Sequence, residues 1–234
     1  MLATVLVMAA GCGTATPSDS ESDGAVSVVA AFYPLVFAVA GVGGSLVDVD
    51  NLTAPGVEPH DLELSADQVR TVSEADLVVF LGQGFQPAVD DVVSGLEGER
   101  VLDLLHEDRS DPHVWLDPSL MAEIVDTVAA RLSAIDPPNE ATYVDNAAEM
   151  ITSLDALDTE LREGLASCRT RDIVTSHAAF GYLASRYELH QVSISGLDPE
   201  SEPSPARMAD VARFVHEHEV STIFFEELVS PEVA

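Results

Sequence analysis

The chain contains no lysine: its ten basic residues are all arginine, set against 41 aspartates and glutamates, for a formal net charge of −31. That balance excludes electrostatic attraction to nucleic acid or to an anionic membrane face, and it favours the approach of cations. A solvated acidic surface accounts for it without any specific acidic function. Cysteine is scarce, with only Cys12 and Cys168. The longest apolar opening, Met1 to Ala10, is too short for a bilayer span of roughly 20 residues. Neither a zinc-protease H-E-x-x-H helix nor the nucleophile elbow of a serine hydrolase occurs, so two common hydrolytic plans are missing. What the chain does have is bulk. With 234 residues, 47% hydrophobic and 22% charged, it can bury one large core or two smaller ones.

Residues 1–12 read as the remnant of a secretory signal ending at a lipid-attachment cysteine, Cys12, and residues 13–25 as a flexible tether rich in small and acidic residues. Two features depart from the usual lipoprotein pattern: no basic residue opens the segment, and Ala9 stands where leucine is common. A clipped start accounts for both. If Cys12 carries lipid, Cys168 has no partner within the chain. It is then either a buried thiol or half of a disulfide completed beyond Ala234.

The β-branched run Val26 to Phe32 reads as a buried parallel strand, and Pro34 opens a helix that stops near Gly41. Further strands are expected at Val47–Leu52, Leu77–Leu81 and Val101–Leu105, with helices from Ser65 and from Pro87 between them. This alternation calls for a parallel sheet covered on both faces. A helix over Leu120–Leu132 follows, Pro137-Pro138 breaks it, and one long helix runs from about Glu140 to Ser167. Its apolar residues Tyr143, Ala147, Met150, Leu154, Leu157, Leu161 and Leu165 form a single stripe. At 1.5 Å per residue it is about 40 Å long, enough to carry the chain from one domain to another. Strand and helix then alternate again through Asp172–Ser176, Ala178–Tyr187, Gln191–Ser195, Pro205–His218 and Thr222–Phe225, and a new helix opens at Ser230-Pro231. The fold class is therefore α/β, two lobes with mainly parallel sheets. The first covers residues 26–118, linking helices occupy 119–167, and the second, incomplete at its C-terminus, covers 168–234.

Three histidines lie in loops that follow strands: His60 in Gly56-Val57-Glu58-Pro59-His60-Asp61, His113 between Pro112 and Pro118, and His177 after Ile173-Val174-Thr175-Ser176. Such strand ends are where open α/β sheets bind ligands. Neutral imidazole suits zinc, and three or four such donors at about 2.0 Å make a tetrahedral site. Two of the histidines come from the first half and one from the second, so only the fold can gather them. Each alone is more often a cap or a surface residue; the shared placement is what marks them. His106, His190, His216 and His218 lack it and read as surface residues. Trp115 reads as a wall of the cleft, and Glu58, Asp61 and Glu63 as a solvated acidic loop that could lend a carboxylate.

Together with Asp111-Pro112-His113-Val114-Trp115-Leu116-Asp117-Pro118, Thr175 to Tyr182 and Ile194 to Pro205, these motifs closely resemble the solute-binding receptors of ABC-type zinc and manganese importers, from about Val26 onward. The resemblance implies two α/β lobes bridged by one long helix, a metal buried between them, and delivery to a membrane permease. It implies His60, His113 and His177 as ligands, Zn2+ as cargo with Mn2+ as the alternative, and a monomeric extracytoplasmic protein, lipid-anchored or periplasmic. An imidazole at position 177, where manganese-type relatives tend to have a carboxylate, favours zinc. The fourth ligand of the family, an aspartate near the C-terminus, is expected beyond Ala234. The family's zinc members often carry a long histidine-rich run before the central motif, and only His106-Glu107-Asp108 stands there. Two other readings remain at this stage. A zinc hydrolase would need a general base beside the metal, and an adhesin could keep the receptor fold. Ligand histidines must be neutral, so binding is expected to weaken as pH falls through roughly 6.5.

Overall fold

The computed structural model describes residues 24–225. The signal remnant, Cys12, nearly all of the tether and the helix expected at Ser230-Pro231 lie outside them. The first sheet holds β1 (Val26–Ala30), β2 (Val47–Asn51), β3 (Leu77–Phe80) and β4 (Val101–Asp103), in the order β2-β1-β3-β4 and parallel throughout. Strands β1 and β3 are nearly all apolar and buried, as strands covered on both faces must be. The connecting helices are α1 (Tyr33–Gly43), α2 (Ala66–Glu74) and α3 (Pro87–Val93). From β1 the chain steps outward to β2 and then back across to β3 and β4. Right-handed crossovers therefore put α1 on one face and α2 and α3 on the other. Helix α2 starts where the sequence expected: the Ser65 hydroxyl accepts from the Gln68 amide at 3.3 Å, and the Gln68 side chain accepts from the Ser65 amide at 3.0 Å.

Helix α4 (Pro118–Ile135) is followed by the long helix α5 (Glu140–Ala166), 27 residues. The apolar stripe of α5 is only half used. Tyr143, Ala147 and Leu154 are buried in the first core, where α5 packs on α1 and α4, whereas Leu157 is 43% exposed. Beyond Leu154 the helix has left the first sheet behind, and it carries Asp158 toward the second. Cys168, just past its end, is an exposed thiol, so of the two alternatives the buried one is excluded.

The second sheet holds β5 (Asp172–Thr175), β6 (His190–Ser193) and β7 (Ile223–Phe224) in the order β6-β5-β7, also parallel. Its helices are α6 (Gly181–Arg186) and α7 (Pro205–Glu217). Helix α6 starts three residues later than the sequence suggests. The His177 carbonyl is held by the Thr175 hydroxyl at 2.7 Å and the Ala178 amide donates to the Gly196 carbonyl at 2.8 Å, which keeps this segment out of the helix. Few side chains are buried around this sheet, among them Val174, Ala184, Tyr187 and Val211. No helix among the described residues is long and apolar enough to cross a membrane.

Candidate metal centre

The C-terminal ends of five parallel strands converge on one cavity of about 280 Å3 between the two sheets. Phe32 comes from the loop after β1, His60 from that after β2, Phe85 from that after β3, His113 and Trp115 from that after β4, and His177 and Phe180 from that after β5. The three histidines offer nitrogens that all lie within 4.8 Å of one another. Their ring centroids are 5.2 to 6.0 Å apart. The Nε2 atoms of His113 and His177 stand 3.3 Å apart. Two nitrogens each about 2.0–2.1 Å from a tetrahedral ion are separated by roughly 3.3 Å, so this pair already spans one edge of a zinc tetrahedron.

Local chemistry explains how each ring is presented. The His60 loop opens with a turn over Ala54-Pro55-Gly56-Val57, closed by a 3.1 Å bond from the Val57 amide to the Ala54 carbonyl, with Gly56 at φ +80°. Proline followed by a left-handed glycine is the signature of a type II turn. Pro59–Asp61 then form one 3-10 turn, and Glu58 accepts from the His60 amide at 3.3 Å. Fully buried Gln86 donates to the Pro59 carbonyl at 3.1 Å and to the Thr53 hydroxyl at 3.3 Å, fixing the loop from beneath. The Phe85 ring meets His60 edge-on at 4.6 Å.

His113 is 1% exposed, and both its backbone amide (3.0 Å) and its ring Nδ1 (2.8 Å) address the same Asp111 carboxylate oxygen. A carboxylate is only an acceptor, so Nδ1 carries the proton and the Nε2 lone pair faces the cavity. This aspartate is the residue sequence reasoning left without a role, and the signal was present: an acid two places before a histidine can close such a turn. His177 is 2% exposed, and Gln191 adds a 3.2 Å bond to its carbonyl beside that from Thr175. Trp115 packs at 5.2 Å from His113, as the wall it was expected to be.

Of the acidic residues in the His60 loop, Asp61 and Glu63 are exposed, while Glu58 is partly buried and lines the cavity. Burial pushes the Glu58 carboxyl up, partly offset by its bond to the His60 amide. His106, His190, His216 and His218 are exposed, as expected. His190 and His218 nevertheless share Asp172, at 2.9 and 2.8 Å.

Burial first, and then the neighbouring imidazoles of His113 and His177, push His60 down to about 4 from its ordinary 6.5. His177 is lowered too, by burial and then by His113, against the opposing pull of Asp111 and Asp198. A depressed histidine pKa means the neutral ring, which is the metal-binding form, persists below the ordinary value. Proton competition for zinc at His60 and His177 is accordingly expected to set in below pH 6.5, and at His60 only toward pH 4, lower than the sequence alone suggests. Equilibrium dialysis across that range would measure it, and a release midpoint at or above 6.5 would contradict the geometry. The sign for the empty fold is the same. Between 6.5 and about 4 the unfolded chain binds a proton at His60 that the native chain does not, so native stability declines as pH falls through that window.

An α/β frame with three imidazoles gathered between two parallel sheets is a frame that could hold one metal ion. The chain belongs to the family described as zinc-uptake complex component A, periplasmic, whose model matches residues 28–234. Among its relatives, the zinc-binding lipoprotein AdcA of Streptococcus pneumoniae is 34% identical over 256 aligned positions, which cover 98% of this chain and 51% of that protein. The chain therefore spans about half the length of such a relative. The high-affinity zinc uptake system protein ZnuA of Bacillus subtilis is also 34% identical, over 100% of this chain and 82% of its own. Among solved structures, the laminin-binding protein of Streptococcus agalactiae, described as an adhesin with metal-transporting activity, superposes with a TM-score of 0.79 at 33% identity, covering 89% of this chain and 83% of that one. The Zn(II)-bound ZnuA-like domain of S. pneumoniae AdcA gives a TM-score of 0.75 at 36% identity, over 90% and 82% of the two chains.

Proposed function

We propose that the protein captures a divalent transition metal, zinc in preference to manganese, outside the cytoplasm and hands it to an ABC-type permease. The observation that carries this reading is the convergence of His60, His113 and His177, whose nitrogens lie within 4.8 Å of one another although they come from both halves of the chain. An all-imidazole donor set is softer than the oxygen-rich sets manganese takes, which supports zinc. The fourth position is left to water, to Glu58 or to a residue outside the described part. The domain boundaries follow as 26–118, 119–167 and 168–234, with lipid on Cys12 as the anchor.

Capture fits this cavity better than catalysis. Its other walls include Phe32, Pro34, Phe85, Trp115, Leu116 and Phe180, and the Asp111 carboxylate is engaged by both the amide and the ring of His113. The acidic surface draws cations toward the opening.

Elemental analysis of the purified protein, followed by competition between zinc and manganese, tests the reading. One zinc per chain is expected, with manganese displaced by an equal amount of zinc. Protein that takes up neither metal stoichiometrically would sink the proposal.

A further inference from the structure

The two ligands His113 and His177 sit on different lobes, yet one short helix grips the His113 segment at both of its ends. Tyr182 and Arg186 stand four residues apart on α6 and share a face. The Tyr182 hydroxyl donates to the Asp111 carbonyl at 3.1 Å, and the same Asp111 holds the His113 ring through its side chain. At the other end, Arg186 donates from Nη1 to the Ser119 hydroxyl at 2.7 Å, and its Nε lies 3.3 Å from Asp117, the residue that caps α4. The Arg186 Nε also donates to Asp158 on the long helix at 2.7 Å, and the neighbouring Tyr187 hydroxyl donates to that carboxylate at 3.0 Å. The guanidinium holds the Asp158 carboxyl well below the usual range, followed in effect by Tyr187 and Arg162. Gly181, which opens α6, lies so close to Asp111 that an added Cβ would meet its carboxylate at 3.0 Å.

The chain spacing makes this a gauge for the metal site. Asp117 comes four residues after His113, and Gly181 comes four residues after His177. Helix α6 thus ties the far end of one ligand loop to the far end of the other. We infer that Tyr182 and Arg186 are positioning residues for metal capture: they brace α6 against Asp111, Asp117 and Ser119 and so preset the separation of His113 and His177 before the ion arrives. This rests on the three-histidine reading. A brace of this kind acts chiefly on release, because a preset pair of ligands loses little on binding and must be pulled apart to let the ion go.

The test uses the full chain with zinc and, as a spectroscopic probe of coordination, cobalt(II). Tyr182→Phe and Arg186→Gln are each expected to weaken zinc binding about tenfold or more, the range seen when outer partners of metal ligands are removed. Most of the change should fall in the off-rate, with weakened cobalt absorption bands; metal-free melting should change little in Tyr182→Phe and fall in Arg186→Gln, which leaves Asp158 and Asp117 without their cation. Should Arg186→Gln fail to fold, Tyr182→Phe, which deletes one hydroxyl, decides the matter. Folded variants with the parent off-rate and cobalt spectrum would overturn the brace. His177→Ala separates the two ideas. If it keeps zinc, the three-histidine reading falls; if it loses zinc while Tyr182→Phe and Arg186→Gln keep it, only the brace falls.

Discussion

Replacing His113 by alanine is expected to lower zinc affinity by on the order of a hundredfold or more. Protein zinc sites are bound by about 10–16 kcal/mol at neutral pH, which over four donors is about 3 kcal/mol each, and 1.4 kcal/mol is tenfold. His113 should stand at the upper end of that range for two reasons. Its Nε2 is the one placed at a tetrahedral edge from the Nε2 of His177, so its loss leaves His60 and His177 without the partner that sets the site's geometry. Its removal also strips the Asp111 carboxylate of a 2.8 Å ring donor while leaving it partly buried. His216, exposed on α7, supplies the control: His216→Ala should bind zinc as the parent does. Titration against a chelator of known affinity would measure both. An unchanged affinity in His113→Ala would remove this residue from the site.

Much of the site could be read from the chain because the motifs are local. Proline on both sides of His113, and Pro59 before His60, restrict the backbone enough that a strand-end loop is the natural reading. The long helix was legible to within a residue or two because its stripe persists over 27 residues. What could not be read was convergence. Nothing in the spacing of positions 60, 113 and 177 shows that their nitrogens come within 4.8 Å, since that depends on strand order and on how the two sheets face each other. The supporting partners were hidden for the same reason. Gln86 lies 27 residues from the Pro59 carbonyl it holds, and Arg186 lies 67 from Ser119. The start of α6 was misplaced because Ala178 and Ala179 are good helix formers, yet side-chain and cross-loop bonds to this segment outweigh propensity.

Phe32→Ala carries the largest expected effect on stability. The ring is 1% exposed and meets Trp115 edge-on at 4.9 Å and Phe85 at 5.2 Å. Truncating a buried phenylalanine costs about 3–5 kcal/mol, against a total of about 5–15 kcal/mol for a domain, so the unfolding midpoint in urea should fall steeply. The effect should also reach the metal. Trp115 packs on His113 at 5.2 Å and Phe85 on His60 at 4.6 Å, so both imidazoles lean on aromatics that Phe32 packs against. A comparison isolates this second effect. Leu132 is equally buried, but it sits near the end of α4 and does not line the cavity, so Leu132→Ala should lose about 2–5 kcal/mol while zinc affinity stays at the parent value. Phe32→Ala should lose both stability and affinity. Saturating zinc should restore part of the stability, because a ligand at about a thousand times its Kd adds roughly 4 kcal/mol to the native state. If Phe32→Ala unfolds like the parent, the ring does not anchor the cavity wall. If it is destabilised but binds zinc as tightly as Leu132→Ala, the aromatics support the fold and leave the ligand rings to Asp111 and Gln86.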